Sequence, residues 1–217
     1  MEFWARNHIL FDLDGTLTDP SEGITRSVQH ALAAFGLTAS REELLCFIGP
    51  PLVDSFVRYF GFTEEAALQA VSVYREYFAE KGIFENRVYP GIPELLKRLQ
   101  CRGKRLYLAT SKPEVFACRI LAHFRLDGFF TFAGGSCLDG CRARKDEVIR
   151  YVLEQMGIPA ADALMVGDRE HDVLGASEAG IPCVGVLYGY GDRPELERAG
   201  AAAIAGDLEG LEKILTN

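Results

Sequence analysis

Two carboxylates, Asp12 and Asp14, sit at the end of the apolar run His8 to Leu13. Side chains two apart on an extended chain point the same way, so a strand here sets Asp12 and Asp14 side by side at its C-terminal tip, with Phe11 and Leu13 facing away. Adjacent anions repel, and a hard, oxygen-loving cation such as Mg2+ relieves the conflict without protonation. Gly15 lets the backbone turn sharply, and Thr16 adds a hydroxyl and an N–H at the same point. Three other groups stand at or just after predicted strand ends: Thr110-Ser111-Lys112, Lys145 after the loop 134–144, and Gly167-Asp168 with Asp172. A phosphoryl group needs a nucleophile, a metal over its oxygens, hydrogen-bond donors and a fixed cation. A carboxylate is able to be that nucleophile, giving an aspartyl-phosphate that water hydrolyses.

Each residue also has a plainer use. Thr110 and Ser111 suit the cap of a helix beginning near Pro113, and Lys145 suits a solvated helix surface. Arg142 and Arg144 are rival cations that spacing alone does not separate from Lys145. Asp168 suits an ordinary turn, a reading weakened by Asp172 four residues on. His171 reads as helix surface. Cys137 and Cys141, at i and i+4, have no second ligand pair and no nearby His, so zinc and a disulfide framework are not expected from the six cysteines.

The elements that must hold these residues follow a rhythm. Apolar runs at His8–Leu13, Arg105–Thr110, Phe129–Ala133, Ala163–Val166, Pro182–Val186 and Ala201–Ile204 predict strands. Helical patterns lie between them: Gly91–Arg102, Lys145–Met156 and Val173–Ala179, closed by Gly103, Gly157 and Gly180. That alternation predicts an α/β fold, a doubly wound, Rossmann-like parallel sheet with its site at the C-terminal strand tips. Roughly residues 19–86 break the rhythm with four helical segments, Ser21–Phe35, Arg41–Phe47, Leu52–Phe60 and Glu64–Lys81. The expected division is a core of 1–18 with 87–217 and a small helical cap of 19–86, an insert placed to act as a lid.

At 217 residues, with 48% apolar and 25% charged side chains, the chain has ample material for a core. Its formal net charge of −8 argues against nucleic-acid or anionic-membrane partners. No apolar run reaches membrane-spanning length and no signal peptide is expected, so a cytoplasmic protein is anticipated. Monomer and homodimer are equally compatible with the sequence.

Motif for motif, the chain resembles the haloacid dehalogenase superfamily of phosphohydrolases, in the subgroup with a helical cap after the first motif. Its pattern is similar to phosphoglycolate phosphatase-like and 5'-nucleotidase-like members. The resemblance implies a Mg2+-dependent phosphomonoester hydrolase of a small phosphorylated metabolite, working through an aspartyl-phosphate. It makes Asp12 the nucleophile and Asp14 the general acid/base. Thr110, aided by the Ser111 backbone, would donate to the phosphoryl oxygens, and Lys145 would fix nucleophile and phosphate. Asp12, the Asp14 backbone carbonyl and Asp168 would hold Mg2+, with Asp172 behind them. The turn Phe47-Ile48-Gly49-Pro50-Pro51-Leu52 resembles the cap loop that reaches toward the leaving group. Among the cap cations Arg26, Arg58, Arg75 and Lys81, Arg75 beside Tyr74 and Tyr77 is the first candidate for a substrate's second anion. A phosphomutase of the β-phosphoglucomutase type shares every core motif; a receiver-type signalling domain, whose accepting Asp ends a later strand, fits the motif order poorly.

Overall fold

A computed structural model describes residues 3–217. The chain divides into two compact units, one made of the chain up to Thr18 with Val88–Asn217, the other of Asp19–Arg87. In chain order the strands are β1 (His8–Phe11), β2 (Thr18–Asp19), β3 (Arg87–Val88), β4 (Arg105–Pro113), β5 (Phe130–Ser136), β6 (Ala163–Gly167), β7 (Cys183–Val186) and β8 (Ala203–Ala205). Six of them form one parallel sheet in the order β5-β4-β1-β6-β7-β8, the α/β doubly wound arrangement expected. Strand order reverses at β1, whose residues pair with Arg105–Leu108 on one side and Ala163–Val166 on the other. Such a reversal opens a crevice beyond the strand tips, where ligands bind in open α/β sheets.

The sheet is sandwiched, which is why its central strands read as unbroken apolar runs. Ile9, Leu10 and Phe11 are all buried, as is every residue of β6. Helices α4 (Ile92–Cys101), α5 (Glu114–His123), α6 (Lys145–Met156), α7 (Glu170–Glu178), α8 (Arg193–Ala199) and α9 (Leu208–Thr216) complete this unit. One core cluster joins Leu10, Tyr107 and Met165 of the sheet to Val148, Ile149 and Val152 of α6 and to Val173 and Ala176 of α7. That packing ties the start of α6 to the tip of β1.

The other unit contains α1 (Ser21–Ala34), α2 (Leu52–Phe60) and α3 (Glu64–Tyr77), around Val28, Leu32, Phe47, Phe56, Ala70 and Tyr74. Thr63 caps α3, accepting from the Ala66 N–H at 3.2 Å. Gly23 has a packing reason to be glycine inside α1: a Cβ there would lie 1.9 Å from the Gly82 carbonyl oxygen.

Several boundaries differ from expectation for identifiable reasons. Strand β4 runs on from Thr110 to Pro113 through an irregular register against β5. Two-residue strands β2 and β3, too short to make an apolar run, pair where the chain enters and leaves the helical unit. Arg41–Phe47 tightens to a 3-10 helix, Glu43–Phe47, although Ser40 and Glu43 exchange the hydrogen bonds of a helix start. Helix α3 stops at Tyr77 and passes into a π turn, Phe78–Gly82, where Gly82 meets Gly23. Helix α7 begins three residues before Val173, because the Asp172 carboxylate accepts the Arg169 N–H at 3.1 Å. Helices α8 and α9 were not anticipated; each is announced by an N-cap aspartate, Asp192 and Asp207.

Candidate active site

Asp12 leaves β1 but still follows the ladder, its N–H donating to the Val166 carbonyl at 2.9 Å. Its carboxylate is therefore fixed at the reversal point of the sheet. Lys145, the first residue of α6, reaches it: the ammonium donates to Asp12 Oδ1 at 2.7 Å and to the Ala109 carbonyl at 3.0 Å, and lies 2.8 Å from Asp172 Oδ1. Three N–H groups thus meet three acceptors in a place sealed from water. Burial would lower the Lys145 pKa, but the charges of Asp12 and Asp172 outweigh it and hold the ammonium above the usual lysine range. The lysine is not a solvated helix residue.

Neither rival cation enters this cluster. Arg142 stacks on the Tyr151 ring at 3.6 Å and pairs with Glu114, while Arg144 pairs with Asp146 and Glu178. His171, on α7, is only partly buried.

Asp168 directly follows β6 and is fully buried, with Oδ2 accepting the Tyr190 N–H at 2.8 Å and Oδ1 accepting from the Thr16 hydroxyl at 3.3 Å. Burial first, then the charges of Asp172 and Asp12, push its carboxyl well above the ordinary carboxylate range. Burial also raises Asp172, against the pull of Lys145. Carboxylate oxygens of Asp12, Asp168 and Asp172 lie within 4.8 Å of one another. Three hard oxygen donors so close, with two of them strained by burial, fit a small divalent cation such as Mg2+. Glycines make room for them: a Cβ on Gly15 would lie 2.1 Å from Asp168 Oδ2, and one on Gly189 would lie 2.4 Å from the same atom.

Asp14 is set apart from that trio. Its Oδ2 is paired with the ammonium of Lys112, and its Oδ1 is buried without a hydrogen-bond partner. Burial raises its pKa, with Lys112 opposing. Its carboxylate is outside the three-acid group. Thr110 is buried on β4 and accepts the Lys112 N–H at 3.3 Å; it does not cap α5, whose N-cap is Pro113 without a side-chain bond. Ser111 is half-buried beside it.

Gly49 and Arg75 belong to the helical unit. Gly49 turns with φ +105° ahead of Pro50 and Pro51, and Arg75 lies in the last turn of α3. Of the other cations there, Arg26 pairs with Glu22 and Glu85, Arg58 lies over Tyr59, and Lys81 lies over Tyr77.

Sequence reasoning passed over Lys112, although Thr110-Ser111-Lys112 was singled out as a segment. It also passed over the stretch Leu187-Tyr188-Gly189-Tyr190-Gly191 after β7. Tyr188 donates its hydroxyl to the Thr16 carbonyl at 3.1 Å, and burial followed by the Asp168 charge holds that phenol protonated. Alternating Gly and Tyr after a buried strand was the available signal.

Residues 9–186 match the family model for haloacid dehalogenase-like hydrolases. The chain belongs to that family. A 5'-nucleotidase of Pseudomonas aeruginosa is 52% identical over 96% of this chain and 95% of its own length. Tyrosine-protein kinase PtkA of Mycobacterium tuberculosis is 38% identical over 95% of this chain and 72% of its own. A phosphoglycolate phosphatase of Pseudomonas savastanoi is 33% identical over 94% and 77%. Among solved structures, a predicted phosphatase from Clostridium acetobutylicum superposes with a TM-score of 0.94 at 48% identity, covering 96% of this chain and 97% of that one. This haloacid dehalogenase-like hydrolase is an enzyme of the phosphatase type. No helix among the described residues is long and apolar enough to cross a membrane.

Proposed function

We propose that the enzyme is a Mg2+-dependent phosphomonoester hydrolase that forms an aspartyl-phosphate on Asp12. Its substrate is a small phosphorylated metabolite, a nucleoside 5'-monophosphate before phosphoglycolate, given the higher identity to the 5'-nucleotidase. The observation that carries this reading is the Lys145 clasp. One Asp12 oxygen is tied down by an ammonium at 2.7 Å, so the other is left to attack, at the point where open sheets bind ligands.

In this reading Asp12 attacks phosphorus, and the bond to the leaving oxygen breaks as Asp14 supplies its proton. Asp14 then takes a proton from the water that displaces Asp12. Thr110 and the Ser111 N–H orient the phosphoryl oxygens. Asp12, the Asp14 carbonyl and Asp168 would hold Mg2+, with Asp172 supporting them; the ion would supply charge stabilisation to the phosphoryl oxygens. The residues 1–18 and 87–217 carry this chemistry, and the helical insert 19–86 supplies selectivity as a cap, through Gly49 and Arg75. Six cysteines outside any disulfide suit work in a reducing cytoplasm.

The test is phosphate release from nucleoside 5'-monophosphates, phosphoglycolate, sugar phosphates and pyrophosphate, with and without Mg2+, for the wild type and Asp12→Asn. Turnover that needs both Mg2+ and Asp12 is the expected result. Substantial activity in a folded Asp12→Asn variant rejects Asp12 as nucleophile. A sugar 1-phosphate with its bisphosphate, converted rather than hydrolysed, would identify the mutase instead.

A further inference from the structure

We infer that Tyr188 is a positioning residue for the cation site: through Thr16 it aims the Asp168 carboxylate. The inference rests on the proposed role of Asp168 as a Mg2+ ligand. The turn after β1 closes on itself, with the Gly15 N–H on the Thr18 carbonyl at 2.8 Å and the Leu17 and Thr18 N–H groups on the Leu13 carbonyl at 2.9 and 3.0 Å. Thr16, inside that turn, is fully buried, and its two polar groups bond to different elements. The carbonyl accepts from the Tyr188 phenol at 3.1 Å, and the hydroxyl donates to Asp168 Oδ1 at 3.3 Å. Two residues past Tyr188, the Tyr190 N–H donates to the other Asp168 oxygen, Oδ2, at 2.8 Å. One short segment after β7 therefore orients both oxygens of Asp168, one directly and one through Thr16. Gly189 lies between the two tyrosines, and its backbone is so close to Asp168 Oδ2 and the Gly15 carbonyl that a Cβ has no room. The Tyr188 ring is itself held, edge-on to Tyr89 with centroids 5.3 Å apart, and the Tyr89 N–H donates to Leu17 of the same turn at 3.1 Å.

A carboxylate oxygen has two lone pairs, so an oxygen that meets one donor still has a lone pair for a cation. What the two donors fix is the plane of the Asp168 carboxylate, and with it the direction of those lone pairs. Mg2+ demands near-ideal octahedral geometry with short bonds, whereas Ca2+ accepts longer bonds and looser angles. Releasing the Thr16 carbonyl from the phenol loosens one of the two guides and should penalise Mg2+ far more than Ca2+. Groups that orient a ligand without touching the metal typically contribute about 10- to 100-fold in affinity. A phenol that acts through an intervening threonine belongs at the lower end, about 10-fold.

Titration calorimetry with Mg2+ alone and with Ca2+ alone tests this on wild type, Tyr188→Phe, Thr16→Val, Thr16→Ser and the Tyr188→Phe/Thr16→Val double variant. Tyr188→Phe deletes one oxygen and keeps the ring against Tyr89. Its Mg2+ dissociation constant should rise about 10-fold and its Ca2+ constant under about 3-fold. Thr16→Ser keeps the hydroxyl and should bind Mg2+ as wild type does. The double variant should be no weaker than the weaker single one, because both changes act along one path. Unchanged Mg2+ affinity in Tyr188→Phe, an equal loss for the two cations, or additive losses in the double variant overturns the assignment. Melting in chelator reports on the fold; a variant that melts more than about 5 °C below wild type is judged on the Mg2+-to-Ca2+ ratio, which general loosening does not move. Asp168→Ala is the parent test. Undiminished Mg2+ binding there would sink the proposed metal site and this inference with it, whereas Mg2+ binding that needs Asp168 but not the phenol would sink only the role of Tyr188.

Discussion

Replacing Lys145 with methionine removes a charge while keeping most of the stem that packs against Gly175, where an added Cβ would come within 2.7 Å of the Lys145 side chain. Three acceptors then lose their donor: Asp12 Oδ1, Asp172 Oδ1 and the Ala109 carbonyl. Both carboxylates are nearly sealed from solvent, so water does not replace the ammonium. Removing one partner of a buried ion pair costs about 3–5 kcal/mol. With two carboxylates stranded the metal-free variant should fall in the upper half of that range, about 4–5 kcal/mol. A domain with the usual 5–15 kcal/mol or so remains folded enough to measure. The assay is urea unfolding at neutral pH with a chelator, repeated with millimolar Mg2+. The deficit should shrink with Mg2+, because a cation at Asp12 and Asp172 restores part of the missing charge, while turnover stays lost. A metal-free loss below about 1 kcal/mol would mean that the three contacts are not the buried, water-free interactions argued here.

Mg2+ should raise the melting temperature, by an amount equivalent to about 2.7 kcal/mol at a hundredfold excess over its dissociation constant. That gain should depend on pH in a definite sense. Asp168 and Asp172 have folded pKa values above the ordinary carboxylate value, so in the metal-free fold they cost stability at neutral pH, and protonation relieves the cost as pH falls through those raised values. Protons and metal compete for the same oxygens, so the Mg2+ gain should shrink as pH falls from neutrality through those raised values and be largely gone by about pH 4; differential scanning fluorimetry with and without Mg2+ reads it, and a gain unchanged down to that pH would contradict the assignment. Gly189→Ala should weaken Mg2+ binding, measured by calorimetry, because its Cβ would collide with Asp168 Oδ2 at 2.4 Å and the Gly15 carbonyl at 2.3 Å. Unaltered Mg2+ affinity in that variant would remove Asp168 from the ligand set.

Periodicity sufficed wherever one interaction dominated. The central strands β1, β6 and β7 are legible because both faces are covered, so each is a continuous apolar run, and α2 and α6 end where their patterns end. Asp12 and Asp168 were legible because each directly follows a buried strand, parallel strands putting such residues on one edge, and Asp172 because it comes four residues after Asp168, in the first turn of α7. What stayed hidden depends on contacts distant in sequence. Lys112 is 98 residues from Asp14 and Tyr188 is 172 from Thr16, and no local pattern encodes either pair. The choice of Lys145 over Arg142 and Arg144 came from the sequence, through the helix start at Lys145 and the family pattern, but the contacts that hold the two arginines elsewhere did not. Those contacts are to Tyr151, Glu114, Asp146 and Glu178.

Charge explains why these residues belong together. Four carboxylates, Asp12, Asp14, Asp168 and Asp172, are gathered at the tips of β1 and β6, and two ammonium groups, Lys112 and Lys145, answer them. Formally the carboxylates outnumber the ammonium groups by two in a largely buried place. Arg169 offsets part of this charge, since it acts on Asp168 and Asp172 while paired with Glu195, whereas Arg144 pairs with Asp146 and Glu178 and Arg142 with Glu114. A fold that needed only stability would replace such a cluster with apolar side chains at little cost or some gain. Keeping it imposes raised pKa values on Asp14, Asp168 and Asp172. Strain of that sort concentrates at sites that do chemistry. A divalent cation held there, as proposed, would offset the surplus of carboxylates that would otherwise repel a phosphate ester.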